Sequence, residues 1–193
     1  MSRIAIVLFN LGGPDSLEAV EPFLYNLFAD PAIIALPNPL RAIIAKLIAR
    51  RRGPVARHIY ARMGNRSPIV ANTEAQARAL EAALGGDARV FVAMRYWHPM
   101  SGEAAAAVKR WAPDEIVLLP LYPQFSSTTT ASSLAAWRKA ARAAGLVAPT
   151  RAVCCYPTAA GFIAALASRL ETALAQWPAG ERVRILLSAH GLP

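Results

Sequence analysis

The sequence predicts an α/β fold in which a parallel sheet is covered by helices, and three observations lead to this prediction. Short aliphatic runs alternate along the chain with longer segments of helical periodicity, an order typical of parallel sheets with right-handed crossovers. These runs are apolar throughout, as expected for strands covered on both faces. Each run is also followed by turn chemistry. A length of 193 residues allows one full domain and the beginning of another.

Five aliphatic runs are the predicted strands, and each ends before a polar, aromatic or glycine-containing turn. They cover residues 4–9, 89–94, 116–121, 151–155 and 183–187. The last run follows a long helical segment, so we expect it to open a second domain. We place the first domain at residues 1–156 and the start of the second, incomplete one at residues 157–193.

Helical patterns fill the gaps between the predicted strands. Asn72 or Thr73 is the expected cap of a helix through residue 84, which Gly85-Gly86 ends. Three further helices are expected to follow Ser101, Ser132 and Thr158, over residues 103–111, 134–144 and 161–177.

Residues 15–70 do not fit this alternation and form a hydrophobic, basic insertion. Its aliphatic residues share one helical face, at Leu40, Ile43, Ile44, Leu47 and Ile48. Basic residues, among them Arg50, Arg51 and Arg52, occupy the rest. Two interpretations stay open: a lip that covers a site or touches a membrane, and a packed helix with solvated arginines.

Composition and charge narrow the class of protein. With 55% hydrophobic and 17% charged residues, the chain is not expected to be disordered. No signal segment is visible, and prolines break the longest uncharged stretch, so we expect a cytoplasmic protein. A net charge of +9 favours anionic partners, whether nucleic acid, a phospholipid surface or a carboxylate-bearing small molecule.

The two cysteines, Cys154 and Cys155, are adjacent. Neighbouring side chains of a strand point to opposite faces, so we expect ordinary buried thiols that neither bond each other nor share a metal. An iron–sulfur cluster needs about four cysteine ligands, and none is therefore expected from this chain.

The predicted sheet brings the polar segments together, because ligands of such folds bind beyond the carboxyl ends of the strands. The segments expected at this edge cover residues 10–14, 95–98, 122–130 and 188–190. The first contains Gly12-Gly13-Pro14, which lacks the G-x-G-x-x-G spacing of dinucleotide sites. We therefore expect this turn to approach a bulky ligand or simply to reverse the chain.

Five consecutive hydroxyl residues, at positions 126–130, stand at a predicted strand-to-helix junction. Hydroxyls and free helix amides suit carboxylate or phosphate groups, although Ser and Thr also serve as plain helix caps.

His190 closes the last predicted strand and precedes Gly191. Its imidazole could accept a proton or bind metal, whereas a lone histidine is more often structural. His58 and His98 offer no metal-ligand spacing.

The motifs at these strand ends resemble ferrochelatases in order and spacing, over essentially the whole chain. The segments that carry the resemblance are Asn10-Leu11-Gly12-Gly13-Pro14, Ser67-Pro68-Ile69, Ala93-Met94-Arg95-Tyr96-Trp97-His98-Pro99, Tyr122-Pro123-Gln124-Phe125-Ser126 and Ser188-Ala189-His190-Gly191-Leu192-Pro193. The resemblance implies two Rossmann-like, chelatase-type domains around a porphyrin cleft. The implied activity is insertion of ferrous iron into protoporphyrin IX to form protohaem.

The resemblance also implies roles for individual residues. His190 matches the family's active-site histidine, a proton acceptor or a metal ligand. The implied substrate-binding positions are Leu11, Arg51, Arg52, Tyr60, Ser67, Arg95, Tyr96, Tyr122, Ser126, Ser127 and Thr128. Among them, Tyr122 and the hydroxyls of residues 126–128 match positions that contact porphyrin propionates. Where animal enzymes have Gly-Gly-Gly-Ser-Pro, this chain has Gly64-Asn65-Arg66-Ser67-Pro68.

Family members continue beyond the Ser-Ala-His segment into the rest of the second domain and a glutamate that faces the histidine. We therefore expect a truncated fold and little or no chelatase activity from this chain alone. Iron is expected as a substrate, with no cofactor required. Peripheral membrane contact is plausible for the 40–52 helix. The alternatives are a chelatase for another tetrapyrrole or metal and a nonenzymatic porphyrin or haem carrier; nucleic-acid binding has no recognisable module.

Overall fold

A four-stranded parallel sheet forms the centre of the molecule, and it confirms the α/β prediction. The computed structural model describes residues 2–178 and 180–191. The strands are β1 (Ile4–Asn10), β2 (Ala88–Met94), β3 (Glu115–Pro120) and β4 (Thr150–Ala152). Their order across the sheet is β2-β1-β3-β4. The chain therefore places β2 on one side of β1, and then β3 and β4 on its other side. Folds of this order bind ligands where the direction changes, between β1 and β3.

The central strand β1 explains why its sequence is apolar at every position. Ala5, Val7 and Phe9 pack into the core on one face of the sheet. Ile6 and Leu8 pack into a separate core on the other face. Because both faces are covered, a polar side chain within this strand would have no route to solvent.

Helices cover the two faces of the sheet in three layers. The face of Ile6 and Leu8 carries α3 (Ile69–Leu84), which contributes Ala77 to that core. The opposite face carries α4 (Ser101–Trp111) and α5 (Ser132–Ala144). From α5, Trp137 meets Phe9 edge to face, with ring centroids 5.9 Å apart. This aromatic contact anchors α5 under the centre of the sheet.

The predicted start of α3 at Asn72 or Thr73 is wrong, because the helix begins at Ile69. Thr73 lies inside the first turns, where its hydroxyl donates to the carbonyl of Ile69 at 2.7 Å. The same oxygen accepts from the side-chain amide of Asn10 at 3.0 Å. A residue that resembles a cap in the sequence thus ties α3 to the end of β1.

The insertion forms two helices, α1 (Val20–Phe28) and α2 (Leu40–Arg62), which pack on each other. The buried residues of α2 are small: Ala45, Ala49 and Gly53. Its larger aliphatic residues Leu40, Ile43 and Leu47 are exposed. The helix is therefore packed on the domain, yet its predicted aliphatic face is largely open to solvent. None of the helices in the described residues has the length and hydropathy needed to cross a membrane.

The segment after β4 differs from the prediction. It contains α6 (Ala160–Leu174), none of whose residues is buried. Residues 181–191 have no regular structure, so the strand predicted over 183–187 is wrong for this chain. A strand requires partners for its backbone groups, and the described sheet ends at β4. The assignment of residues 157–193 to a second domain stays a prediction.

The expectation of buried thiols is also wrong. Cys154 and Cys155 are exposed, since β4 ends at Ala152 before reaching them. Outside a strand their side chains need not alternate, and the two sulfur atoms lie 3.1 Å apart.

Candidate functional site

Loops after the first three strands meet at the carboxyl edge of the sheet, as the sequence predicted for residues 10–14, 95–98 and 122–130. The backbone amide of Arg95 donates to the carbonyl of Asn10 at 2.9 Å, and that of Tyr96 to the carbonyl of Leu11 at 3.0 Å. The Tyr96 hydroxyl approaches the carbonyl of Thr128 at 3.5 Å. The edge is therefore built by hydrogen bonds between loops as well as by the sheet.

The glycine turn after β1 packs tightly against the protein itself. Gly12 has a φ of +83°, and a Cβ there would stand 3.0 Å from the Trp97 amide nitrogen. At Gly13 a Cβ would stand 2.5 Å from the hydroxyl oxygen of Ser67. The Ser67 amide in turn donates to the carbonyl of Pro14 at 2.7 Å. Both glycines are therefore explained by close packing within the chain, and Ser67 is fixed beside the turn.

A buried carboxylate connects the candidate residues. Oδ2 of Asp30 accepts hydrogen bonds from Arg95 Nη2 at 2.7 Å, Tyr96 OH at 2.7 Å and Ser132 Oγ at 2.5 Å. Oδ1 accepts from the amide of Ala32 at 2.9 Å. The Asp30 side chain is 2% exposed and that of Arg95 is 20% exposed. A carboxylate so placed is compensated by four donors, one of them charged.

These contacts change the protonation behaviour of two groups. Burial raises the pKa of Asp30, but hydrogen bonds from Ser132, Ala32 and Tyr96 and the charge of Arg95 outweigh it, so the pKa lies below its ordinary value. Burial, followed by the hydrogen bond to Asp30, raises the pKa of Tyr96. At neutral pH Asp30 is therefore charged and Tyr96 is a neutral donor.

An open cavity of about 810 Å³ borders this network. The first residues of α4, one side of α5 and the 30–32 segment line it, and its cationic side chains are Arg41, Arg95 and Lys139. Asp30, already paired, is the one carboxylate in its wall among the described residues. A cavity of this charge favours an anionic ligand.

The hydroxyl tract divides between structural and free groups. Ser126 is buried and accepts from the amide of Thr128 at 3.2 Å, which caps a short π-helical turn over Ser127–Ala131. Ser127 is exposed and lines the cavity. Tyr122 is half-buried, with its hydroxyl 3.4 Å from Ser133, and burial raises the pKa of Tyr122 to about 12. The structure therefore confirms helix capping for Ser126, and the binding of a carboxylate by the exposed hydroxyls stays a prediction.

The predicted lip residues lie on α2. Tyr60 is half-buried and joins Leu11 at the margin of an apolar cluster that includes Tyr96. Arg51 and Arg52 are exposed, and the guanidinium of Arg52 lies 5.7 Å from the ring centroid of Phe28. Leu11, Tyr60 and Tyr96 thus share one apolar wall, whereas the arginines extend from its outer side.

His190 is not brought to this edge, unlike the other predicted segments. It is exposed within residues 181–191, and Nδ1 lies 2.7 Å from the carbonyl oxygen of Gly191. Because a carbonyl oxygen can only accept, Nδ1 is the donor in this contact. Within the described residues, no three acidic, histidine or cysteine side chains are grouped as a metal site.

Sequence reasoning missed Asp30 and Ser132. Asp30 stands before Pro31 after an aliphatic helix, and an isolated acid in an apolar setting was the available signal. Ser132 was read as a helix start, and its side chain also bridges Asp30 and Arg95 Nε, the latter at 2.6 Å.

Comparison with known proteins gives one family. The profile of the family described as Ferrochelatase matches residues 3–193. The protein named Ferrochelatase from Hyphomonas neptunium (strain ATCC 15444) is 51% identical and covers 99% of this chain and 54% of its own length. The Ferrochelatase of Phenylobacterium zucineum (strain HLK1) is 52% identical, with coverages of 99% and 56%. The chain spans about half the length of the curated relatives it matches.

Proposed function

Because this chain belongs to the ferrochelatase family over residues 3–193, we propose that its cleft takes part in inserting ferrous iron into protoporphyrin IX to form protohaem. The proposal rests on three groups of residues that meet at one sheet edge. They are Leu11, the pair Arg95 and Tyr96, and Tyr122 together with the hydroxyls of residues 126–128. These residues belong to separate sequence motifs, and their convergence at one edge supports a common ligand.

The chemistry of the edge suits a porphyrin, which joins a flat apolar ring to carboxylate side chains. Leu11 and Tyr60 border an apolar cluster and offer a surface for the ring. Arg41, Arg95 and Lys139 line the neighbouring cavity together with Ser127. Charged and neutral donors of this kind bind carboxylates. We therefore propose that the ring lies along the apolar wall and that its propionates meet hydroxyl and cationic groups.

Metal insertion requires two pyrrole N–H bonds to break as Fe²⁺ forms bonds to the four ring nitrogens. Two protons leave and the oxidation state of iron is unchanged, so the proposal includes no redox cofactor. A neutral imidazole can accept a pyrrole proton or ligate ferrous iron on entry. We propose His190 as this group.

Peripheral membrane contact is a separate part of the proposal. Leu40, Ile43 and Leu47 are exposed on α2, and Leu47 is 61% exposed. Arg50, Arg51 and Arg52 follow on the same helix and are exposed. A basic segment beside exposed aliphatic side chains is attracted to anionic lipid surfaces. We expect co-sedimentation with vesicles that contain phosphatidylserine and a loss of it in R50Q/R51Q/R52Q; equal sedimentation with neutral vesicles would refute the charge contribution.

The central experiment measures the insertion of zinc or ferrous iron into protoporphyrin IX. The absorbance of the porphyrin reports the reaction. The experiment compares this chain with a polypeptide of the relatives' length that begins with it, each with and without His190→Ala. We expect insertion by the longer wild-type polypeptide, retained porphyrin binding in H190A, and loss of insertion there.

Two outcomes would replace the proposal. If the longer polypeptide binds porphyrin and never inserts a metal, a porphyrin carrier becomes the function. If it prefers cobalt or another tetrapyrrole in competition, the chain belongs to a chelatase of different specificity.

A further inference from the structure

Asp30 lies just after α1 and connects three separate parts of the chain. Its Oδ2 atom contacts Arg95 and Tyr96 after β2 and Ser132 at the start of α5. The side chain is 2% exposed, so it presents almost no surface to a ligand. An effect of Asp30 on the site therefore has to pass through the groups that it holds.

Arg95 is the first of these groups. A long guanidinium side chain loses much of its rotamer freedom when it is fixed. Asp30 fixes Nη2 and Ser132 fixes Nε, at 2.7 and 2.6 Å. The other N–H groups of Arg95 make no hydrogen bond with the described residues, and its side chain lines the cavity. Asp30 and Ser132 thus hold one side of the guanidinium and leave the other side for a ligand.

Tyr96 is the second group. It is fully buried, its hydroxyl donates to Asp30, and its ring lies 4.8 Å beneath the Arg95 guanidinium. The same ring packs in the apolar cluster that Leu11 and Tyr60 border. A single carboxylate therefore sets the relative positions of the polar cavity wall and the apolar wall.

We propose that Asp30 is a positioning residue for the porphyrin site, holding Arg95 and Tyr96 in their binding geometry before a ligand arrives. This inference rests on the proposed function. Pre-organised donors bind more tightly because less freedom is lost on binding.

Electrostatics alone gives the opposite expectation, which makes the proposal testable. The substitution Asp30→Asn makes the cavity wall one charge more positive, and charge attraction alone would then tighten the binding of an anionic porphyrin. The positioning role predicts weaker binding, because Arg95 is released. The sign of the change in affinity separates the two explanations.

The first test is a fluorescence titration of protoporphyrin IX with a polypeptide of the relatives' length. We expect D30N and R95Q each to raise Kd about tenfold, the equivalent of one hydrogen bond to a charged group. In the R95Q background, D30N should add less than tenfold, since only its effect through Tyr96 remains. Unchanged or tighter binding in D30N overturns the proposal, as do losses that multiply in the double variant.

The matched control is Asp87→Asn, which removes one carboxylate at the opposite edge of the sheet. Asp87 is exposed and precedes β2, so D87N should bind porphyrin like the wild type. Should D30N fail to fold in thermal melting, Ser132→Ala replaces it. That variant keeps the carboxylate and removes the hydroxyl between Asp30 and Arg95 Nε. We expect a smaller loss of porphyrin affinity than in D30N. An affinity equal to that of the wild type would overturn the proposal.

The second test needs no porphyrin. Solvent exchange of the Arg95 Nη2–H groups, one of which donates to Asp30, is measured by ¹⁵N NMR in this chain, in D30N and in D87N. We expect slow exchange in the wild type and in D87N and fast exchange in D30N; equal exchange in all three overturns the proposal. Absence of porphyrin binding by the longer wild-type polypeptide would count against the proposed function, while protection of Arg95 that depends on Asp30 would still support the positioning role.

Discussion

At the scale of single residues, Gly13 is the glycine with the least room for a side chain. A Cβ there would lie 2.5 Å from Oγ and 2.6 Å from Cβ of Ser67. Ser67 cannot move freely, because its amide is bonded to the carbonyl of Pro14. We expect Gly13→Ala to lower the free energy of unfolding by about 1–3 kcal/mol, the usual cost of overpacking. Urea denaturation monitored by circular dichroism measures this change.

A second substitution tests whether Ser67 is the cause. In a Ser67→Gly background both clashing atoms are gone, and the next neighbour of the added Cβ is Ile69 Cγ2 at 3.1 Å. The two substitutions should therefore be non-additive, with G13A less harmful than in the wild type. Equal losses in both backgrounds would show that the steric explanation is wrong.

Asp30 gives a prediction of pH dependence. Its pKa is lowered from 3.8 in the folded protein, so its stabilising contribution is present at neutral pH. That contribution is lost as the pH falls through the lowered value. We expect D30N to be about 3 kcal/mol less stable than the wild type at pH 7, as for a broken buried ion pair. On acidification, its free energy of unfolding should fall less than that of the wild type.

The measurement is the free energy of unfolding in urea between pH 7 and pH 3. Tyr96, the titratable partner of Asp30, has a raised pKa and keeps its proton throughout this range. D87N is the control, since it has the same number of carboxylates as D30N. Parallel pH curves for D30N and wild type would contradict the assignment.

At the scale of elements, α2 shows how the environment reverses the effect of one substitution. Gly53 is buried inside this helix, and a Cβ there would meet its nearest neighbours, atoms of Glu21 and Arg57, at 3.9 Å. That distance is ordinary van der Waals contact, and alanine is about 1 kcal/mol better than glycine in a helix. We therefore expect Gly53→Ala to stabilise the protein by about 0.5–1 kcal/mol.

Thermal and urea unfolding of G53A and G13A, measured side by side, check this prediction. The two variants carry the same chemical change and should shift the unfolding midpoint in opposite directions. A destabilised G53A would mean that α1 and α2 pack more tightly than the structure shows.

At the scale of the whole molecule, the sheet domain contrasts with the segment after β4. Ile163, Leu166 and Leu170 are exposed on α6, and Leu187 is 92% exposed. We expect trypsin to cut this chain first at Arg169, Arg182 or Arg184, since few buried contacts oppose local opening there. Mass spectrometry of early fragments identifies the sites.

Arg138 is the matched site for this experiment, because it is exposed but lies on α5, which Trp137 anchors in the core. Cleavage at Arg138 should be much slower than at Arg169. In a polypeptide of the relatives' length, the sites after β4 should be cut more slowly than in this chain. Equal cleavage rates at Arg138 and Arg169 would show that the segment after β4 opens no more easily than α5.

The fold and much of the candidate site were predictable because they depend on local signals. Apolar runs between turns marked β1 to β4, and the parallel order placed the loops after β1, β2 and β3 at one edge. The strand predicted over 183–187 failed for the complementary reason. Its apolar run is as clear as the others, but a strand forms only where another strand can pair with it.

The sequence by itself determined the α/β class, the positions of β1, β2 and β3, and the edge where Leu11, Arg95 and Tyr122 meet. Those features follow from apolar periodicity and turn residues, which act over a few neighbouring positions. Only the tertiary structure decided that Asp30 holds Arg95, Tyr96 and Ser132, which lie 65, 66 and 102 positions away along the chain. Such contacts depend on how helices pack on a sheet, because a buried carboxylate persists only where folding brings its donors to it.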